Sequence, residues 1–229
     1  MFRPEHFFDL SSFSHRALFD GCEYVWQALN NIDTYLSSQK LGVHEGVQHP
    51  DAWLVNPELI SIGPGSVIEP GAYVQGPCII GSGCQIRHGA YIRGNCIIGD
   101  GAVIGHTTEI KNSIVFDRAH AAHFAYVGDS ILGSGVNLGA GVKCANLCLH
   151  AGQVFVRYNG EKIATGRRKF GAIIGDFSQI GCNTVLNPGT LLSKEVHVFP
   201  GVCVSGYVEE AHQVINAQKP LIKPRRGST

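Results

Sequence analysis

From Ile62 onward the chain repeats itself every six residues. Isoleucine or valine stands at Ile62, Ile68, Val74, Ile80, Ile86, Ile92, Ile98, Ile104 and Ile110 without interruption. A period of six fits neither the 3.6-residue helix nor a simple alternating strand, because it describes a short strand and a turn repeated as one unit. Three such units closing into a triangle give about 18 residues per coil of a parallel β-helix, with the aliphatic residues stacked into one continuous core. Glycine follows the aliphatic residue in many repeats, as in "IIGSGCQIRHGAY", where the corners turn tightly. The expected class is therefore all-β.

Continuing the count of six places Phe116 and then Ala122 in the core slots, so the core is expected to weaken beside His123 in "HAAHFAYVGDS". Ala119, Ala121 and Ala122 are small enough for another surface to approach, and the break reads as a subunit contact or a ligand groove. The period resumes at "LGSGVNLGAGVK" from Leu132, lapses between about 147 and 168, and returns from Ile174. Within the lapse, "VFVRYNGEKIAT" carries two apolar-alternating runs around Asn159-Gly160, the signature of a two-residue hairpin turn. The lapse is expected to be a projecting loop, and it ends in the basic stretch "GRRK".

Residues 1–55 differ in kind. Between Cys22 and Ser38, Val25, Leu29, Ile32 and Leu36 recur at helical spacing, with Gly42 as a stop. A solenoid must cover its open ends, so this helical segment is expected to cap the first coil. The resulting division is a cap over 1–55, a β-helix over 56–208 with its loop at 147–168, and a basic tail over 209–229.

Eighteen Lys and Arg balance 18 Asp and Glu, so no overall field favours nucleic acid or an anionic membrane, and any anion site must be local. No apolar run has membrane-spanning length, and "MFRPEHFFDL" lacks the order of a secretory signal, which points to the cytoplasm. Eight cysteines without a C-x-x-C pair read as small buried hydrophobes, with neither disulfides nor structural zinc expected.

Stacked coils also place polar residues. Arg93 and Lys111 are 18 apart, which sets them one above the other about 5 Å apart. Such a pair is either a phosphate clamp, in which the anion offsets the repulsion, or two solvated surface charges. His88 and His106 share the same spacing and read as a surface ladder or part of a metal site. His123 is either a proton acceptor, since imidazole titrates near neutral pH, or a packed histidine. Tyr126 and Asn137 follow in the same disrupted region with polar groups a ligand can use. Neither a nucleophile elbow nor a Gly-rich loop between strand and helix is present.

The hexads resemble those of the hexapeptide-repeat acyltransferases, which are left-handed parallel β-helices that form homotrimers with active sites between subunits. The stretches "EIKNSIV", "AHFAYVGDSILGSGVNLGAG", "CANL" and "GRRKFGAIIGD" resemble more specifically the acetyltransferase domain of bifunctional sugar-1-phosphate nucleotidylyltransferase/acetyltransferases. "VWQALNNIDTYL" is similar to the helix before their coils, and the likeness runs over about residues 22–208.

The resemblance implies acetyl-CoA-dependent N-acetylation of an amino-sugar 1-phosphate, most directly glucosamine 1-phosphate, for UDP-N-acetylglucosamine supply to the cell envelope. It makes His123 the general base. Arg93 and Lys111 would hold the sugar phosphate, Tyr126 and Asn137 would position the sugar, and Asn146 and Lys169 would complete the pocket from a neighbouring subunit. Ala140, Cys182 and Pro200 would lie along acetyl-CoA, the latter two where related enzymes carry serine and alanine. Acetyl transfer of this kind needs no metal. The basic tail residues Lys219, Lys223, Arg225 and Arg226 would either meet the CoA phosphates or remain solvated. With only a helical segment before the coils, no uridylyltransferase activity is expected. Other readings are acylation of galactosamine 1-phosphate or of a nucleotide-linked amino sugar, a zinc protein using His88, His106, His120 or His123, and a non-catalytic β-helix that scaffolds a partner nucleotidylyltransferase through its N-terminal helices.

Overall fold

A computed structural model describes residues 2–215 of the chain. The basic tail residues Lys219, Lys223, Arg225 and Arg226 lie outside the described residues. The chain forms the expected left-handed parallel β-helix of hexapeptide repeats, with an N-terminal helical segment and an inserted hairpin. Three parallel sheets make its faces. The first has nine strands, from Val47–Gln48 to Gln213–Val214, the second eight, from Trp53–Val55 to Cys203–Val204, and the third eight, from Ile60–Ile62 to Tyr207–Val208. No helix among the described residues is long and apolar enough to cross a membrane.

Coils begin before residue 56 and continue past 208. Val47 pairs with Val67 and Trp53 with Tyr73, while Gln213 pairs with His197. The count of six misses the first coil because His44 and Gln48 stand in the columns of Ile62 and Ile68. Their side chains bond backbone carbonyls instead of filling a core: His44 Nε2 lies 3.0 Å from the Ile60 oxygen, and Gln48 Nε2 donates to the Ala52 oxygen at 3.1 Å. Beside Leu54, which keeps the column of Val74, these two polar side chains thus close that end of the solenoid.

The N-terminal segment is consequently not an end cap. It lies along the side of the helix, across the third face. Strands on that face carry two successive aliphatic residues ("CIIG", "SILG", "AIIG", "TLLS"), one pointing in and one out. The outward residues Ile79, Ile97, Ile114, Ile131, Ile173, Leu191 and Tyr207 pair rung by rung. A sheet apolar on both sides must be covered on both sides. Phe7, Phe8, Phe13, Leu18, Trp26 and Ile32 bury themselves against this ladder. Helix α1 (Ala28–Ser38) supplies Leu29, Ile32 and Leu36 to it at amphipathic spacing. At about 1.5–3 kcal/mol per large apolar side chain removed from water, this lateral brace is a second core. Asp176 fastens it, accepting from the Asp9 amide at 2.6 Å while its own amide donates to the Phe7 oxygen at 2.9 Å.

Phe116 is not a core residue of the coil. The step from Ile110 to the next inward residue is five, to Val115 rather than Phe116, and the slots that follow hold Ala121 rather than Ala122, and then Val127. A second five-residue step runs from Val127 to Leu132. The residue dropped from the first step turns Phe116 outward, where it stacks on Phe13 with ring centroids 3.8 Å apart. The small slot beside His123 is therefore Ala121, paired with Ile104 below and Leu138 above. One coil further, the hairpin insert leaves from the same corner between the second and third faces. Its strands Phe155–Tyr158 and Glu161–Ala164 are antiparallel around Asn159 (φ 48°) and Gly160 (φ 81°). Val154 and Val156 join the brace. Three successive departures from the six-residue step thus fall at one corner.

Candidate active site

The second face presents two outward columns. Pairing of Tyr91 with Glu109 and of Ile92 with Ile110 puts Arg93 directly below Lys111, as their spacing requires. Each cation has its own carboxylate: Arg93 Nη1 lies 2.7 Å from Glu109 Oε1, and Lys111 Nζ 3.0 Å from Asp129 Oδ2. With Gln75, Asn95 and Asn112 they line a polar cleft of about 330 Å³ at the corner.

Asp129 organises the deeper end of this cleft. Its side chain is 4 % exposed and gathers four donors. Lys111 Nζ and Asn146 Nδ2, at 3.0 and 2.6 Å, reach Oδ2, while Asn112 Nδ2 at 2.8 Å and Arg167 Nη2 at 3.6 Å reach Oδ1. Asn112 and Asp129 hold left-handed conformations (φ 45° and 49°) at the two five-residue steps, which Asn and Asp tolerate best among residues with side chains. Sequence reasoning passed over Asp129; the signal available was the parallel between "IKNSIV" and "VGDSIL", both one residue short. Gly128 was missed as well. A Cβ there would stand 2.5 Å from Tyr126 Oη and 2.7 Å from Asn146 Nδ2, so only glycine lets these two side chains cross above it. Burial pushes the Tyr126 phenol up, and the Glu109 and Asp129 charges push it the same way, which keeps it a neutral hydrogen-bonding group.

His123 is exposed at the end of a first-face strand, where the chain turns toward the second face. It belongs to a column fixed by backbone hydrogen bonds. The Phe124 amide donates to the His106 oxygen, Gly141 to His123, Asn183 to Ala140 and Gly201 to Cys182, at 2.7 to 3.1 Å. His106, His123, Ala140, Cys182 and Pro200 therefore follow one line up the corner between the first and second faces. Gly105 lets the His123 coil settle, since a Cβ there would lie 1.7 Å from the Ala122 oxygen. Below, His88 and His106 stack with centroids 6.0 Å apart, and His88 Nδ1 is bonded to the Pro70 oxygen. Among the described residues no three His, Cys, Asp or Glu side chains converge as metal ligands.

The chain thus brings Arg93, Lys111, Tyr126 and Asn146 together, and aligns His123 with Ala140, Cys182 and Pro200. It does not bring in the other two. Asn137 pairs with His120 on the first face, beside a shallow groove of about 360 Å³ shared with Cys182 and Pro200. Lys169 is exposed, with no side-chain hydrogen bond or ion pair among the described residues; the cation of the "GRRK" stretch that enters the cluster is Arg167.

Comparison with known proteins bears on this geometry. Residues 74–160, which include the Asp129 cluster up to Asn146 and His123, match the family described as the GMPPB C-terminal domain. A bifunctional sugar-1-phosphate nucleotidylyltransferase/acetyltransferase of Sulfurisphaera tokodaii is 38% identical over 104 residues, covering 44% of this chain and 26% of that protein. The bifunctional protein GlmU of Methanococcus aeolicus is 31% identical over 119 residues, covering 52% of this chain and 29% of its own. The chain is homologous to these nucleotidylyltransferase/acetyltransferases. It spans about a quarter of the length of the curated relatives it matches. The UDP-N-acetylglucosamine acyltransferase of Campylobacter jejuni superposes with a TM-score of 0.57 at 15% identity, over 74% of this chain and 64% of that one, and shares the fold.

Proposed function

We propose that the chain transfers an acetyl group from acetyl-CoA to the amine of an amino-sugar 1-phosphate, with glucosamine 1-phosphate the first candidate. The observation that carries this reading is the polar cleft in which Arg93 and Lys111 are stacked and separately neutralised, on a face bounded by His123, in a homologue of sugar-1-phosphate acetyltransferases. A sugar phosphate entering the cleft meets two cations already held in place, so little side-chain entropy is lost on binding. Tyr126 and Asn146 offer the sugar hydroxyls fixed hydrogen-bonding partners.

His123 takes the proton from the 2-amino group as its nitrogen bonds to the acetyl carbonyl carbon. The carbon–sulfur bond then breaks, and the imidazolium returns the proton to the CoA thiolate. Ala140, Cys182 and Pro200 carry the pantetheine arm along their column, where no long side chain blocks it. Asn137 and Lys169, apart from the cluster within one protomer, reach it from neighbouring subunits of a homotrimer.

Release of CoA by the wild type and by His123→Ala, on glucosamine 1-phosphate, galactosamine 1-phosphate and nucleotide-linked amino sugars, tests the reading. Turnover on one of these acceptors, reduced at least about 100-fold in the variant, is the expected result for loss of a general base. Equal turnover by the two proteins would remove His123 from the reaction. The scaffold reading is disfavoured, because the N-terminal apolar side chains that would dock a partner are spent on the chain's own third face.

A further inference from the structure

Arg167 connects two parts of the molecule that sequence reasoning kept apart. Its side chain is 14 % exposed and divides its fork among three acceptors: Nη2 faces Asp129 Oδ1 at 3.6 Å, Nε donates to the Lys169 oxygen at 3.2 Å, and Nη1 donates to the Asn30 side chain. Asn30 belongs to α1, whose other side is anchored through Leu29, Ile32 and Leu36 in the brace. The helix also packs on the strand Ser113–Val115, which follows directly on Asn112, another donor to Asp129.

We propose that the N-terminal segment is part of the acceptor site: Asn30 holds the Arg167 guanidinium, Arg167 completes the ring of donors around Asp129, and Asp129 in turn sets Lys111 and Asn146 for the acceptor phosphate and sugar. This rests on the acetyl-transfer reading for the identity of the ligand, but not for the linkage itself. Asn30, Arg167 and Asp129 are positioning residues, each acting on the ligand through another side chain. The guanidinium is suited to the task because a planar fork addresses three acceptors in fixed directions, whereas an ammonium on a flexible stem does not. The carboxylate is suited because each oxygen takes two donors, which fixes Lys111 and Asn146 relative to one another. A segment that covers a hydrophobic face thereby also sets the geometry of a polar pocket on the adjoining corner.

The test is direct binding of glucosamine 1-phosphate to the full chain, by calorimetry, in the wild type, Asn30→Leu, Asn30→Asp and Arg167→Lys. Asn30→Leu is expected to weaken acceptor binding about tenfold, the loss of one hydrogen bond to a charged group, with acetyl-CoA affinity and melting temperature unchanged. Asn30→Asp, which keeps the acceptor oxygen, restores it; Arg167→Lys does not. Wild-type acceptor affinity in Asn30→Leu, or a parallel fall in acetyl-CoA affinity and melting temperature, would overturn the proposal.

Should the wild type neither bind the sugar phosphate nor release CoA, the acetyl-transfer reading fails, and the linkage is decided without ligand. Hydrogen exchange at the Asp129 and Gly171 amides, which donate to the Lys111 and Asp129 oxygens, is then faster in Asn30→Leu if the linkage holds. Unchanged exchange overturns it.

Discussion

Asp129 is tied to its surroundings by three hydrogen bonds and the Arg167 ion pair. Replacing it by asparagine turns one oxygen into an amino group that must face either Lys111 and Asn146 or Asn112 and Arg167, all of them donors. Breaking a buried ion pair from one side costs about 3 kcal/mol, and urea denaturation of Asp129→Asn should show a loss of that order. A still smaller change, Gly128→Ala, should raise the KM for the acceptor severalfold and leave that for acetyl-CoA alone, because the added methyl displaces Tyr126 or Asn146 and touches nothing in the His123 column. Equal effects on both KM values would show that the two columns are not separate subsites. The cysteines divide in the same way by location. Cys182 and Cys203 are exposed and should react at once with a thiol reagent, whereas Cys96 and Cys144, pushed up to about 12 by burial, should react only on unfolding. At this scale the sequence made Arg93 and Lys111 legible, since a spacing of 18 needs nothing but the period. It concealed Asp129 and Arg167: Asn112 and Asn146 sit 17 residues from Asp129 across shortened steps, the shortened step stacks Lys111 on Gly128 so that a spacing of 18 no longer marks neighbours, and Arg167 lies 38 residues from Asp129 across an insert.

The brace is the element whose existence was readable and whose place was not. Apolar residues at helical spacing announced α1, yet nothing in its own sequence says which surface receives it. The receiving surface is written in the strands, as the doubled aliphatics of the third face, and a count that looks only for one residue in six overlooks the second. Two expectations follow for this element. Phe116, fully buried between Phe8, Phe13 and Phe19, should cost about 3–5 kcal/mol when replaced by alanine, although the β-helix core does not contain it. Chemical denaturation should then reveal the brace loosening before the coils. The second expectation concerns acid. Burial holds His15, which is hydrogen-bonded to Tyr35 at 2.8 Å, below the ordinary imidazole value. As pH falls through about 6.5, the unfolded chain takes up a proton that the folded chain refuses, so stability is present above that pH and declines below it. Melting temperatures measured between pH 7.5 and 5.5 should fall in the wild type and flatten in His15→Phe. Parallel slopes would exclude His15 as the cause.

For the whole molecule, the three faces and the projecting hairpin were accessible from a period of six and one Asn-Gly pair. The ends of the solenoid were not, because a terminal coil has no neighbour to demand an aliphatic residue, and His44 and Gln48 serve there instead. Assembly can be tested by complementation. In a ring-closed trimer with shared sites, His123→Ala and Lys169→Ala protomers mixed at random should rebuild about one site in four, from two proteins each inactive alone. Mixtures that stay inactive after refolding together would place His123 and Lys169 in the same protomer's site.

The three lapses between Ile110 and Ile174 have a bearing on how such chains diversify. Within a strand a residue cannot be added or lost without rotating the side chains that follow off their columns, so insertion and deletion are confined to the corners. At the corner between the second and third faces the frame has shifted twice and then been broken open by the hairpin, and each time the register recovered in the next strand. That corner is a seam in an otherwise rigid lattice. Pocket depth, charge and loop length can vary along it while the rungs above and below keep time.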